Sequence, residues 1–227
     1  MTVVKAENLT KDYGLNGQTV HALRGVNLEF QEGEFAAIAG PSGSGKSTFL
    51  HLAGCLDTIS GGSITVGGED ISRLSGKRLA LLRRREIGFI FQAYNLIPVL
   101  SVEENISFPL SLLGLGREEI QERTGRAIQE VGLDGMAKRR PKEMSGGQQQ
   151  RVAIARALVK KPALILADEP TANLDSKTGR EILELMLALN KTAGTTFIFS
   201  THDQMVMDCA RRVVQIRDGR VESDEVK

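Results

Sequence analysis

The stretch Gly40-Pro41-Ser42-Gly43-Ser44-Gly45-Lys46-Ser47 fits the pattern G-x-x-x-x-G-K-[ST]. Glycines at this spacing allow a tight turn, so consecutive backbone N–H groups point inward and can cradle phosphate oxygens. A helix starting near Lys46 adds the positive end of its dipole. In such a loop the lysine reaches the β- and γ-phosphates of a nucleotide, the hydroxyl of Ser47 sits on Mg²⁺, and Thr48 continues the cradle. Four fixed positions over this length match by chance on the order of one time in a hundred. The context argues against chance, because an apolar run precedes the loop and the apolar residues Phe49 to Ala53 follow it.

Two further stretches carry chemistry. Ala163 to Glu169 reads ALILADE, a buried strand ending in two carboxylates. Asp168 can hold Mg²⁺ through water and Glu169 can polarise an attacking water. Alone, this run equally describes a strand entering a solvated turn; beside a phosphate loop it is the second half of a nucleotide site. Ser145-Gly146-Gly147-Gln148-Gln149-Gln150-Arg151 opens a helix. Ser145 and Gln148 read as a capping box, which accounts for those two residues but not for the glycine pair. Glycines at a helix start, with free N–H groups and the dipole, make a second phosphate-binding end.

The elements that must position these residues are legible from period and punctuation. Val26, Leu28 and Phe30 alternate with Asn27 and Glu29, the period of a half-buried strand. Glu34 to Ala39 is a continuous apolar run ending at the phosphate loop, as a buried parallel strand reads. Ile64 to Val66 is a short strand between glycine pairs. From Ser101 to Lys161 helical patterns dominate, with Ile120, Ala127, Ile128 and Val131 on one face. Strands return at Leu164 to Ala167 and Thr196 to Ser200, separated by a helix carrying Ile182, Leu183, Met186 and Leu189. Asp218-Gly219 between Val213–Arg217 and Arg220–Glu222 signals a hairpin. Alternating strands and helices imply an α/β core with a mostly parallel sheet, a helical insertion and an antiparallel β portion.

Composition narrows the class. The 227 residues carry 29 Lys plus Arg against 28 Asp plus Glu, a formal net charge of +1, so no polyanion-binding surface is expected. Arg83-Arg84-Arg85 reads as a solvated helix end neutralised by nearby acids rather than a nucleic-acid patch. The two cysteines, Cys55 and Cys209, lack metal spacing and read as small core residues in a reducing compartment. No apolar leader and no stretch of about 20 apolar residues is present. Direct membrane insertion is therefore not expected.

Together the three motifs resemble the ABC transporter ATPase family, over essentially the whole chain. There the serine-glycine-glycine-glutamine stretch is the signature; the family's usual leucine before it is Met144 here. The resemblance implies a RecA-like α/β phosphate-loop core, an antiparallel β subdomain and a helical subdomain near 93–160, all within one ATPase domain, 1–227. It assigns Gln92 to Mg²⁺ and water, Tyr13 to stacking on adenine, and Asn173-Leu174-Asp175 to the loop that crosses between subunits. His202 is assigned to the γ-phosphate and Glu169 to the general base, with Ser47, Gln92 and Asp168 as the metal set. Each has a plainer reading: a polar strand end, a surface anchor, a helix cap at Asp175 or Ser176, a structural histidine. In the family one ATP lies between the phosphate loop of one subunit and the signature helix of another. A single copy of each here implies a homodimer formed on ATP and Mg²⁺. The partner implied is a transmembrane permease, which would hold the chain on the cytoplasmic face of the inner membrane.

Phe91 to Pro98, Ser101 to Asn105 and Pro170 to Asp175 are similar to the subgroup serving lipoprotein release, macrolide export and cell division. Phe108-Pro-Leu-Ser-Leu-Leu113 is apolar enough to supply helical core and part of a permease-receiving groove. The rival is a soluble ABC ATPase acting on nucleic acid or ribosomes. Its members carry a coiled coil, zinc cysteines or two ATPase domains, and this chain has none of these.

Overall fold

The computed structural model describes residues 1–15 and 17–227. Two long strands, β1 (Thr2–Leu15) and β2 (Gln18–Gln31), pair antiparallel. In β2 the expected alternation holds: Leu23, Val26, Leu28 and Phe30 are buried, while Arg24, Asn27 and Glu29 face water. With β4 (Gly61–Val66) and β5 (Glu69–Asp70) they form one sheet, ordered β2-β1-β4-β5.

The second sheet holds β3 (Phe35–Ala39), β6 (Ile87–Phe91), β7 (Leu164–Asp168), β8 (Thr196–Thr201), β9 (Arg212–Arg217) and β10 (Arg220–Val226). Its order is β10-β9-β3-β8-β7-β6, with every pairing parallel except that of β10 on β9. The central strands are continuously apolar because both faces are covered. In β3, Ala36 and Ile38 enter one core with Phe49 and Leu52, while Phe35 and Ala37 enter the other with Ile182 and Phe199. The hairpin at Asp218-Gly219 forms, both residues having positive φ, 49° and 77°. It extends the parallel sheet, because β9 pairs with β3, rather than adding to the antiparallel portion.

Helix α1 (Lys46–Ala53) lies between the two sheets, its Phe49, Leu50, Leu52 and Ala53 in the core shared with Val4, Phe30 and Ile64. Helices α2 (Gly76–Glu86), α3 (Val102–Ser111), α4 (Arg117–Glu130) and α5 (Gly146–Leu158) follow. The last three fall between β6 and β7, within the span expected to be helical. Then come α6 (Ser176–Ala193) and α7 (Gln204–Cys209). Among the described residues no helix is long and apolar enough to cross a membrane.

Two expectations need correction. Cys55 is buried, but Cys209 is only half-buried, because it ends the short α7, whose buried side is Val206. Arg83 and Arg84 are also half-buried, and only Arg85 is exposed. The last turn of α2 runs straight into the buried Ile87 of β6, so these side chains cannot all reach water. Arg83 donates to the Cys55 carbonyl, and Arg84 Nε is buried without a hydrogen-bond partner. Arg83 and Arg84 are thus packed against the fold, and among the described residues none of the three arginines forms a salt bridge.

Candidate functional site

Four adjacent parallel strands, β3, β8, β7 and β6, bring their C-terminal ends to one edge of the sheet. That edge is where α/β sheets bind ligands. The phosphate loop follows β3, His202 follows β8, Asp168 and Glu169 end β7, and Gln92 follows β6.

The loop is tightly built. Gly40 has φ 149°, and a Cβ there would lie 2.1 Å from the Ile216 carbonyl oxygen, so no side chain fits. Lys46 is buried; its Nζ donates to the carbonyls of Gly40 at 2.8 Å and Pro41 at 2.9 Å, which arches it over the loop. Burial lowers its pKa, while the carboxylates of Glu169 and Asp168 oppose that shift. The first turn of α1 has no side-chain cap, and Ser44 Oγ is buried without a partner. Uncapped N–H groups, an orphaned hydroxyl and an ammonium converging on one loop fit a polyphosphate.

Ser47 Oγ donates to Asp168 Oδ1 at 2.9 Å. A hydroxyl and a carboxylate side by side are hard oxygen donors of the kind Mg²⁺ takes when phosphates complete its shell. No cluster of three or more His, Cys, Asp or Glu side chains with metal-binding geometry occurs among the described residues. Next in sequence, Glu169 has a left-handed backbone, φ 45°, unusual for a glutamate and held by its N–H donating to Ser200 O at 2.9 Å. This turn aims the carboxylate toward His202, whose Nδ1 lies 2.9 Å from Glu169 Oε1.

Lys46, Ser47, Asp168, Glu169 and His202 are therefore brought together. Gln92 stands one residue beyond Phe91, which is in register with Asp168, and its carbonyl accepts from Asn173 Nδ2 at 2.9 Å. Its side chain is exposed and makes no hydrogen bond to that group among the described residues. Tyr13, near the far end of β1, donates its hydroxyl to Asp57 Oδ2 at 2.7 Å. Burial and then Asp57 raise the phenol pKa, while the Thr48 hydroxyl, which lies on the phosphate-loop helix, lowers it.

At α5 the capping box is complete. Gln148 N–H donates to Ser145 Oγ at 3.3 Å and Ser145 N–H to Gln148 Oε1 at 3.0 Å. The glycines have a packing reason that their sequence context did not supply. A Cβ on Gly146 would lie 2.8 Å from the Tyr94 hydroxyl, and one on Gly147 would lie 2.5 Å from a Thr178 methyl. These neighbours belong to the segment after β6 and to α6, not to the phosphate loop. Asp175 caps α6, accepting from the N–H groups of Lys177 and Thr178.

Several residues escaped sequence reasoning. The fully buried Gln150 of α5 donates to Pro170 O at 2.7 Å, just beyond Glu169. Arg156 of α5 donates to Tyr94 O at 2.8 Å and Asn95 O at 2.5 Å, holding two left-handed residues behind Gln92. Backbone partners leave no mark in a sequence, so neither had a signal. Lys11 and Asp57, around Tyr13, are linked at 2.7 Å. Their only signal was that Lys11 shares a strand face with Tyr13.

The ABC transporter profile matches residues 23–172, from β2 through the loop after Glu169. The chain belongs to the ABC transporter family. The cassette is 44% identical over 227 residues to the ABC transporter ATP-binding protein MJ0796 of Methanocaldococcus jannaschii, covering 98% of this chain and 97% of that protein. A dimeric MJ0796 structure in a post-hydrolysis state, bound to ADP and Pi, matches with TM-score 0.90 and 43% identity over 98% of both chains. YknY of Bacillus subtilis, an ABC transporter ATP-binding protein, is 45% identical over 219 residues, 96% of this chain and 95% of that one. The macrolide export ATP-binding/permease protein MacB of Nitrosomonas europaea is 47% identical over 225 residues, 99% of this chain but 34% of MacB. The cassette thus has the α/β fold of an ABC ATPase and is an ATP-binding, ATP-hydrolysing component of a transporter.

Proposed function

We propose that the cassette hydrolyses Mg-ATP at the strand ends that carry Lys46, Ser47, Asp168, Glu169 and His202. The observation that carries this reading is the pair of contacts Ser47–Asp168 and Glu169–His202, which bring the phosphate loop, two consecutive carboxylates and a histidine to one place. Glu169 takes the proton from the water that attacks the γ-phosphorus, and the terminal phosphate leaves ADP. Nδ1 of His202 orients that carboxylate, and the same ring is the histidine contact to the γ-phosphate. Lys46 and the N–H groups of the loop stabilise charge on the transferring group. Ser47, with Asp168 behind it and Gln92 closing the shell, would hold Mg²⁺, which when bound neutralises phosphate charge. Tyr13 supplies a stacking platform for adenine.

Within one chain Gly146 and Gly147 pack against Tyr94 and Thr178, Ser145 and Gln148 bond each other, and none of the four makes a hydrogen bond to the phosphate loop among the described residues. A second copy is the natural source of a signature helix for each ATP, so the working unit is an ATP-bound homodimer. Glu169→Gln removes the base and one negative charge facing the γ-phosphate. We expect it to be monomeric without nucleotide, dimeric with ATP, and slowed about 10²- to 10⁴-fold in hydrolysis. Adding Ser145→Arg should abolish that dimer. Sizing chromatography with light scattering reads both. Near-wild-type hydrolysis by Glu169→Gln would remove Glu169 from its role.

The permease surface is a groove of about 770 Å³ between α2, β6, α3 and α5. Leu56, Phe108 and Leu112, each nearly half exposed, line it with Arg83, Arg84 and Lys160, and no carboxylate among the described residues lines it. Apolar and cationic lining suits a cytoplasmic helix carrying apolar and acidic side chains. The relation to MacB favours a permease of the macrolide-export and lipoprotein-release kind, on whose cytoplasmic side the cassette would sit. Phe108→Asp and Leu112→Glu should uncouple hydrolysis from transport. Crosslinks to the permease that map only elsewhere would count against the groove.

A further inference from the structure

Around Tyr13 lies a cluster that the hydrolytic reading does not use. Lys11, only 7% exposed, donates from Nζ to Asp57 Oδ1 at 2.7 Å and to Thr58 O at 2.6 Å. The same ammonium lies 4.7 Å from the centroid of the Tyr13 ring. The other oxygen of Asp57 accepts the Tyr13 hydroxyl at 2.7 Å, and Asp57 Oδ1 also accepts from Thr58 N–H. Burial pushes the Asp57 carboxyl upward, but hydrogen bonds from Lys11, Tyr13 and Thr58 outweigh it, so its pKa is lowered and it stays ionised. The cluster thus joins β1 to the chain that leaves α1, the helix that starts at the phosphate loop.

A tyrosine ring has two torsions, and fixing its hydroxyl fixes its plane. A cation against one face is held there by the ring quadrupole and blocks stacking on that side. Tyr13 keeps 37% of its surface exposed. One face is therefore closed and the ring is locked relative to α1. We propose that Asp57 and Lys11 are positioning residues that hold Tyr13 as a one-faced platform for the nucleotide base. This rests on the reading of Tyr13 as the base contact. Fixing the ring in advance removes an ordering cost from binding, an effect confined to ligands that have a base. Bare diphosphate meets the loop but not the platform.

The experiment compares ADP with inorganic pyrophosphate by titration calorimetry at fixed Mg²⁺, on the full chain. Tyr13→Ala, Tyr13→Phe, Asp57→Ala and the double variant Tyr13→Phe/Asp57→Ala are measured beside wild type. Asp57→Ala should weaken ADP roughly three- to tenfold and leave pyrophosphate affinity within error. Tyr13→Phe keeps the ring but loses the tether, so it should match Asp57→Ala, and the double variant should be no worse than either single one. An independent readout exists because the chain has no tryptophan and two tyrosines. In a Tyr94→Phe background, emission comes from Tyr13 alone, and ADP should quench it where pyrophosphate does not. Equal weakening of ADP and pyrophosphate by Asp57→Ala, no weakening of either, or additive losses in the double variant would overturn the clamp. If Tyr13→Ala leaves ADP affinity unchanged and ADP fails to quench, the base assignment of Tyr13 falls first, and the clamp with it.

Discussion

The strand-end floor and the helical lobe are held together by different kinds of contact. On the floor, the carboxylates meet side chains, Asp168 with Ser47 and Glu169 with His202, and only Lys46 turns to main-chain carbonyls, those of its own loop. In the lobe, long polar side chains grip main-chain carbonyls. Arg156 holds those of Tyr94 and Asn95, Gln150 that of Pro170, Lys160 those of Arg83 and Arg84. The buried Asn105 holds Ile97, Leu100 and Ser101. The floor concentrates reactive groups on rigid parallel strands. The lobe fixes the path of the backbone behind Gln92 and beside Glu169. Changes on the floor should therefore remove chemistry and spare the fold, and changes in the lobe should do the reverse.

The largest effect is expected on the floor. Lys46→Ala deletes an ammonium whose only hydrogen bonds among the described residues are to two loop carbonyls. Hydrolysis should fall at least about 10²- to 10³-fold, the scale of one preorganised donor, and ATP binding should weaken strongly. The urea midpoint should stay near wild type. A turnover assay paired with urea denaturation checks both halves; near-normal turnover would reject the site.

Arg156→Met should give the opposite profile. It leaves the Tyr94 and Asn95 carbonyls, in two strained left-handed residues, without their donor. Each lost hydrogen bond of this kind is worth about 0.5–1.5 kcal/mol net. At about 2–4 °C per kcal/mol for this size of chain, the melting temperature should drop by several degrees. Thermal unfolding measures it, and turnover at low temperature should fall far less than in Lys46→Ala.

The glycines of the signature stretch lie where the two kinds of contact meet. Gly146→Ala would push a methyl against the Tyr94 hydroxyl, 2.8 Å from the new Cβ, costing about 1–3 kcal/mol as overpacking. Tyr94→Phe removes that oxygen and should restore the stability. If hydrolysis stays low in the stable double variant, Gly146 also serves the nucleotide of the partner subunit. If hydrolysis returns with stability, packing alone explains the glycine.

Legibility followed the same division. The floor could be read in advance, because each strand announces itself by an apolar run and each reactive group by the loop that ends it. Gly40 to Ser47, Asp168-Glu169 and His202 all stood where a strand gives out. The antiparallel sheet was legible from the alternation around Val26 and Phe30. The lobe was legible only as helical, since a side chain that bonds a carbonyl needs no partner of any particular type. The arginine run misled for a related reason. Charge pattern suggests solvent, but the short passage from α2 into β6 pulls Arg83 and Arg84 into a groove wall. Tyr13 came from family likeness, and its support from Asp57, 44 residues away in sequence, had no local cue.

The smallest effect concerns Lys160, and it separates burial from hydrogen bonding within the lobe. Its pKa is lowered from 10.5 to about 8 by burial, with Glu86 opposing. Below about pH 8 both folded and unfolded chains hold this proton, and stability does not respond to it. Between about pH 8 and 10.5 the unfolded chain keeps the proton while the folded chain releases it. The unfolded state then binds more protons, so this site makes stability rise with pH. The slope cannot exceed about 1.4 kcal/mol per pH unit, and from pH 7.5 to 9.5 the gain should be on the order of 1–2 kcal/mol. Lys160→Arg keeps donors for the Arg83 and Arg84 carbonyls but does not titrate in this range, so its stability should lack that rise. Lys160→Met should also lack it and start lower, because both carbonyls lose their donor. Urea midpoints at pH 7.5, 8.5 and 9.5 give the comparison. If wild type and Lys160→Arg change in parallel, Lys160 is solvated in the folded chain, and its grip on the end of α2 is looser than the 2.7 Å contact to Arg83 O implies.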